Sequence, residues 1–143
     1  MYPTEEETKL WVALNLSQTK IYRIIDTVLK SEGLPNLRWY DVLWELERAQ
    51  ESGLRPFELE RILIFEQSNL SRQLRRMIGE GVVKEFAFEN DGRGKVLKIT
   101  EDGQRVRKQM WKVYGPLIHQ QIGDLSPQHN PETIASALIS LIK

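Results

Sequence analysis

The sequence predicts a mostly α-helical fold interrupted by one small antiparallel β-hairpin. Three observations carry that expectation. Apolar residues recur at spacings of three and four through several long stretches, the period of one helix face. The period then changes. Val82 to Phe88 and Val96 to Thr100 read as strands, joined by a polar, Gly-rich turn from Glu89 to Lys95. Just before the hairpin, QSNLSRQLRRMIGEG places Leu70, Leu74, Met77 and Ile78 on one helix face. At about 100° per residue, Ser68, Arg72, Arg75, Arg76 and Gly79 fall on the other. A helix with one basic face, followed by a hairpin with a basic tip, is the reading end of a winged helix-turn-helix. The fold class expected is therefore mostly α with a small antiparallel β-wing: a winged helix-turn-helix over residues 34–103, flanked by helices of a dimerisation lobe at 1–33 and 104–143.

The elements follow in order. Thr4-Glu5-Glu6-Glu7 has the form of a capping box, and its acids suit the positive end of a helix dipole. Leu10, Leu14, Ser17, Ile21, Ile24 and Val28 then mark a long amphipathic helix ending near Ser31-Glu32-Gly33. It carries more apolar surface than one small domain can cover, so packing on a second subunit is expected. After the break at Leu34-Pro35-Asn36, a second helix runs from Leu37 to Gln50, and Ser52-Gly53 stops it. Leu54-Arg55 is read as a one-residue-wide strand beside the hairpin, and Pro56 as the first position of a short helix. Phe57, Leu59, Ile62 and Leu63 are expected to bury one side of that helix, leaving Glu58, Glu60 and Arg61 outside. Ile64-Phe65-Glu66 makes the turn into the basic helix without the Gly often found there.

Beyond the hairpin, Thr100 is a plausible N-cap with Glu101 and Asp102 in the first turn. Val106, Met110, Val113 and Leu117, with Trp111, Tyr114 and Ile118, form a wide apolar stripe. Gly115-Pro116 within it should kink or interrupt the helix. A loop from Gly123 to His129 leads to Asn130-Pro131-Glu132, which starts a last helix whose buried side is Ile134, Leu138, Leu141 and Ile142.

Composition limits the functions available. The chain has no cysteine, which removes disulfides, thiolate metal sites, Cys nucleophiles and thiol redox sensing. His119 and His129 are the only histidines and have no partner at metal-ligand spacing, so no metal site and no cofactor are expected. No Gly-rich phosphate loop or HExxH-like cluster points to an enzyme. No apolar run reaches membrane-spanning length, and the acidic start MYPTEEETKL argues against export, so a cytoplasmic protein with no membrane partner is expected. The formal net charge is zero but unevenly spread. Residues 1–66 hold 8 Lys/Arg against 12 Asp/Glu, a net of −4; residues 67–112 hold 11 against 6, a net of +5; residues 113–143 hold 1 against 2, a net of −1. The positive field sits on the basic helix, the hairpin and the start of the helix after it.

These residues also carry a resemblance. LSRQLRRMIGEGVV followed by NDGRGKVLKITEDG resembles the core of the MarR family of winged-helix transcriptional regulators. That family shows a Ser-Arg pair in the recognition helix, a Gly-hydrophobic-Val exit, an Asp-x-Arg wing and a hydrophobic-x-Leu-Thr-x-x-Gly end. Ser71-Arg72, Gly81-Val82-Val83, Asp91-Gly92-Arg93 and Leu97-Lys98-Ile99-Thr100-Glu101-Asp102-Gly103 answer to it in order, with Ile99 where Leu is usual. The resemblance implies a homodimeric DNA-binding regulator, with Arg93 entering a minor groove and Asp91 holding the wing loop.

The candidate site residues are then Gln67, Ser68, Asn69, Ser71 and Arg72 for base edges, since Arg pairs with guanine and Gln or Asn with adenine. Arg75 and Arg76 suit phosphates of double-stranded DNA. Asp91, Arg93 and Lys95 form the wing contact. The alternative is a winged helix used only for protein–protein contact, or a solvated basic face. Trp11, Trp39, Trp44 and Trp111 are candidates for a cavity binding a small aromatic or anionic effector, against ordinary core packing.

Overall fold

The computed structural model describes residues 1–87, 94–123, 125 and 127–143. It is mostly helical with one two-stranded antiparallel sheet, as the sequence predicts. The order is α1 (Glu5–Ser31), α2 (Leu37–Ala49), α3 (Pro56–Ile62), α4 (Leu70–Gly79), β1 (Val83–Ala87), β2 (Lys95–Ile99), α5 (Glu101–Gly123) and α6 (Pro131–Ile139).

The helix starts are set by the residues that sequence reading singles out. The Glu7 amide donates to Thr4 Oγ1 at 3.1 Å while the Thr4 amide donates to Glu7 Oε2 at 2.8 Å, closing the capping box of α1. Asn36 Oδ1 accepts from the Trp39 amide at 3.2 Å, and Asn130 Oδ1 from the Glu132 amide at 2.8 Å. Pro56 opens α3 and Pro131 opens α6, where a missing N–H costs nothing. In the sheet Val83 faces Ile99, Glu85 faces Leu97 and Ala87 faces Lys95. Leu54 and Leu97 exchange backbone bonds of 3.0 and 2.8 Å, so the one-residue third strand is present.

The core lies where α2 meets the sheet, α4 and the inner half of α1. Leu29, Val42, Leu43, Leu46, Leu59 and Met77 are fully enclosed there. The ends of the chain are different. Trp11 is 68% exposed, Leu16 is 66% exposed, and α6 buries none of its residues. Leu141 and Ile142 lie past the end of α6, at 69% and 82% exposure, instead of on its buried side. Long apolar faces on α1 and α6 are thus left without cover by the rest of this chain.

Three further expectations differ from the structure. Phe57 and Ile62 are exposed, and only Leu59 of α3 is buried, because a seven-residue helix turns one narrow face to the core. Pro116 does not interrupt α5, which runs on to Gly123. A proline deletes one helix hydrogen bond and need not end a long helix whose other bonds persist. The basic helix begins at Leu70, so Gln67, Ser68 and Asn69 belong to the approach and not to its first turn.

Candidate nucleic-acid interface

α4 is amphipathic in the sense its sequence implies. Leu74 and Met77 are buried, Leu70 and Ile78 are half-buried, and Ser71, Arg72, Arg75 and Arg76 are exposed. Arg75 and Arg76 lie three and four residues beyond Arg72, so both neighbour it on the helix surface. None of the three forms an ion pair among the described residues.

The C-terminal end of α4 is fixed by backbone geometry. Gly81 has φ +78°, which allows its amide to bond the Ile78 carbonyl at 3.0 Å while the Val82 amide bonds the Met77 carbonyl at 3.1 Å. That paired closure needs a left-handed residue, which glycine adopts without steric cost. The sheet then starts at Val83. Thr100 ties this exit to α5: its hydroxyl donates to the Gly81 carbonyl at 2.6 Å and accepts from the Gly103 amide at 3.0 Å. A Cβ on Gly103 would lie 2.1 Å from the Val82 carbonyl oxygen, so only glycine allows this approach. The Gly81, Thr100 and Gly103 positions of the motif are therefore one contact.

The N-terminal end is held by residues far away in sequence. Asp41, 3% exposed on α2, accepts from the Phe65 amide through Oδ2 at 2.9 Å. This carboxylate organises the turn that has no glycine. Burial pushes the Asp41 carboxyl above its ordinary value, and the Phe65 amide pulls it back in part. The Phe65 ring meets Tyr22 of α1 edge-on, centroids 5.0 Å apart. Arg38 lies over Tyr22 at 5.3 Å and donates to its hydroxyl at 3.1 Å. Gln67 is drawn into the same network, its Nε2 donating to the Arg38 carbonyl at 3.2 Å. In this structure the Gln67 amide group is therefore engaged by the protein, while Ser68 and Asn69 stay exposed.

No family model matches the chain. Over 69 residues it is 30% identical to the multiple antibiotic resistance protein MarR of Escherichia coli (strain K12), and the same figures hold for the MarR of Salmonella typhimurium. The chain spans about half the length of these curated relatives, 48%. Solved structures match over nearly the full length. A mutant MarR from E. coli complexed with operator DNA gives a TM-score of 0.82 at 22% identity, covering 100% of both chains. A MarR family regulator from Streptomyces coelicolor in complex with DNA gives 0.83 at 22% identity, covering 99% of this chain and 91% of that one. AbsC, a MarR family regulator from the same organism, gives 0.81 at 21%, covering 99% and 93%. The chain has the MarR-family fold.

Within the MarR-family fold, the other candidates separate. Asp91 and Arg93 lie outside the described residues. Lys95 opens β2, and its ammonium is paired with Glu85 across the sheet. The four tryptophans sit in different surroundings. Trp39 is buried in the core and Trp11 stands exposed on α1. Trp44 stacks on Arg107 at 5.1 Å, and Trp111 stacks on Tyr40 at 6.0 Å with Tyr114 edge-on to both rings. The tyrosines fill the junction. Open cavities of 990 Å³, between the outer sheet face and α2, and 720 Å³, between α1 and the Phe65 turn, have none of the four on their walls.

Sequence reading missed Asp41, Arg38 and the Arg107–Glu47 pair, whose Nε and Oε2 are 2.8 Å apart. A signal existed for the first. Asp41 is the one acid inside the apolar run Trp39-Tyr40-Asp41-Val42-Leu43, and an acid in a buried stripe must be satisfied by something.

Proposed function

We infer that this chain is a DNA-binding transcriptional regulator that acts as a homodimer and represses by occupying near-palindromic operators. The observation that carries this reading is the uncompensated charge on α4. Arg72 repels Arg75 and Arg76, three and four residues on, by about 0.2–0.5 kcal/mol per pair, and no carboxylate among the described residues neutralises them. A polyphosphate surface would. The solved structures of similar fold that hold DNA support the same reading.

The roles follow from position. Ser68, Asn69, Ser71 and Arg72 stand at the N-terminal end of α4, the end that enters a major groove, and Arg72 reads base edges. Gln67 joins them on release from Arg38. Arg75 and Arg76 contact phosphates. Asp91, Arg93 and Lys95 serve the wing, with Arg93 in the minor groove. The uncovered faces of α1 and α6 make the dimer, which sets two α4 helices about 34–36 Å apart on one side of the duplex.

The test is selection of bound sites from random duplex DNA by the full chain, followed by affinity measurement as salt is raised. The expected result is an enriched inverted repeat, with log K falling linearly against log salt by about 0.9 for each phosphate contacted. A winged helix serving only protein contact would enrich no sequence and bind selected and random duplexes alike.

A further inference from the structure

Beside the reading face lies a carboxylate with no hydrogen bond or ion pair among the described residues. Glu60 is exposed on α3, on the same helix face as Pro56 and Phe57. It shares the walls of an open cavity of 490 Å³ with Phe57, Ser68, Ser71, Arg72 and Arg75. The neighbouring acid, Glu58, is committed to folding, since its Oε1 accepts from the Arg55 amide at 3.0 Å and closes the cap of α3. Glu60 forms no ion pair among the described residues, although two arginines line the same cavity.

An unpaired carboxylate on a surface built to meet a polyanion lowers affinity for any duplex. It repels phosphates at every site, cognate or not. Its chemistry is favourable only toward hydrogen-bond donors. In a major groove those are the amino groups of cytosine N4 and adenine N6, whereas guanine O6 and thymine O4 are acceptors that a carboxylate rejects. We propose that Glu60 is a specificity-determining residue, the acidic wall of the reading cavity, which trades overall affinity for discrimination at one base pair in each half-site. This rests on α4 being the DNA-reading helix. It adds a second helix to base recognition, and it assigns the added contact to a repulsive group, which raises specificity by penalising wrong sequences.

The test uses the full chain, with Glu60→Gln as the main variant and Glu60→Ala as the second. Glu60 is exposed, and thermal melts check that each variant keeps the fold. Sites are selected from random duplexes with each protein, and dissociation constants are measured on the wild-type site and on a random duplex at fixed salt. The expected result is that E60Q binds random DNA more tightly while its preference for the wild-type site falls by about tenfold, with one position per half-site relaxed. E60A should relax the same position. If E60Q strengthens binding to both duplexes by one common factor, or leaves the selected sequence unchanged, Glu60 is a diffuse charge and the proposal is overturned. If the wild-type chain itself enriches no sequence, the DNA-reading assignment of α4 fails first. That outcome is distinct, because it appears before any variant is compared.

Discussion

Asp41 offers the sharpest test of how this fold holds its basic helix. Its carboxylate is buried and takes the Phe65 amide at 2.9 Å, while Oδ1 has no hydrogen bond among the described residues. Asp41→Ala removes the acceptor and strands the Phe65 N–H, at a cost of about 1–3 kcal/mol. For a chain of this size that lowers the melting temperature by roughly 3–9 °C. Asp41→Asn keeps an oxygen acceptor and removes the charge, so it should cost much less. The two variants also differ in pH dependence. Burial raises the folded carboxyl above its unfolded value, so the folded state holds the proton more tightly. Stability from this group is fully present below the unfolded value near 4 and is lost as pH rises through the raised folded value. Relative to wild type, Asp41→Asn should therefore gain stability between acid and neutral pH. Urea melts at a series of pH values at fixed protein concentration measure both effects. Equal losses for Ala and Asn at every pH would refute the account of Asp41 as a buried acceptor.

Other outcomes can be checked alongside. Gly103→Ala should destabilise by about 2 kcal/mol or more, since its Cβ would meet the Val82 carbonyl at 2.1 Å, whereas Gly81→Ala, with open space around it, should cost only the left-handed penalty of about 1–2 kcal/mol; thermal melts followed by circular dichroism separate them. Arg107→Ala should cost about 3 kcal/mol by stranding Glu47, and replacing both partners by apolar residues should recover most of it in a double-mutant cycle. Arg72→Ala should lose about 1–3 kcal/mol per half-site on the selected operator and less on random DNA. Arg75→Ala and Arg76→Ala should instead weaken both equally and flatten the salt slope by about 1 for each phosphate released, which filter binding or fluorescence anisotropy would show. Leu16→Glu on the uncovered face of α1 should shift sedimentation toward monomer without unfolding the winged-helix core.

Local chemistry explains what could be read from the sequence. The capping box at Thr4, the caps at Asn36 and Asn130, the prolines opening α3 and α6 and the single-residue strand at Leu54 all depend on residues within a few positions of one another. The apolar stripe and basic face of α4 are legible for the same reason, because helical period alone separates them. The start of α4 was not. Gln67, Ser68 and Asn69 fit a helical first turn by composition, yet Gln67 is taken by the Arg38 carbonyl and the Phe65 amide by Asp41. Those contacts span 29 and 24 residues, and no periodicity reports them. The tryptophans alone could not separate a pocket from a core for a related reason. Aromatic side chains mark both cavities and cores, and here the Trp111 ring packs on those of Tyr40 and Tyr114.

The long-range contacts converge on the two ends of α4, and that arrangement bears on how the basic helix works. At its start, Asp41, Arg38 and Tyr22 connect the Phe65 turn to α2 and α1. At its end, Gly81 and Thr100 connect it to the first turn of α5. α1 and α5, like α6, also carry apolar side chains that this chain leaves uncovered, with Trp11 and Trp111 both exposed. A displacement of either helix would therefore reach α4 through a short chain of hydrogen bonds and not through the half-exposed surface of α3. Coupling of that kind predicts that Asp41→Ala and Thr100→Val alter DNA affinity though neither residue lies on the exposed face of α4, and that each does so by more than an exposed change such as Glu51→Gln. Equal effects from all three would show that α4 moves independently of the helices that hold it.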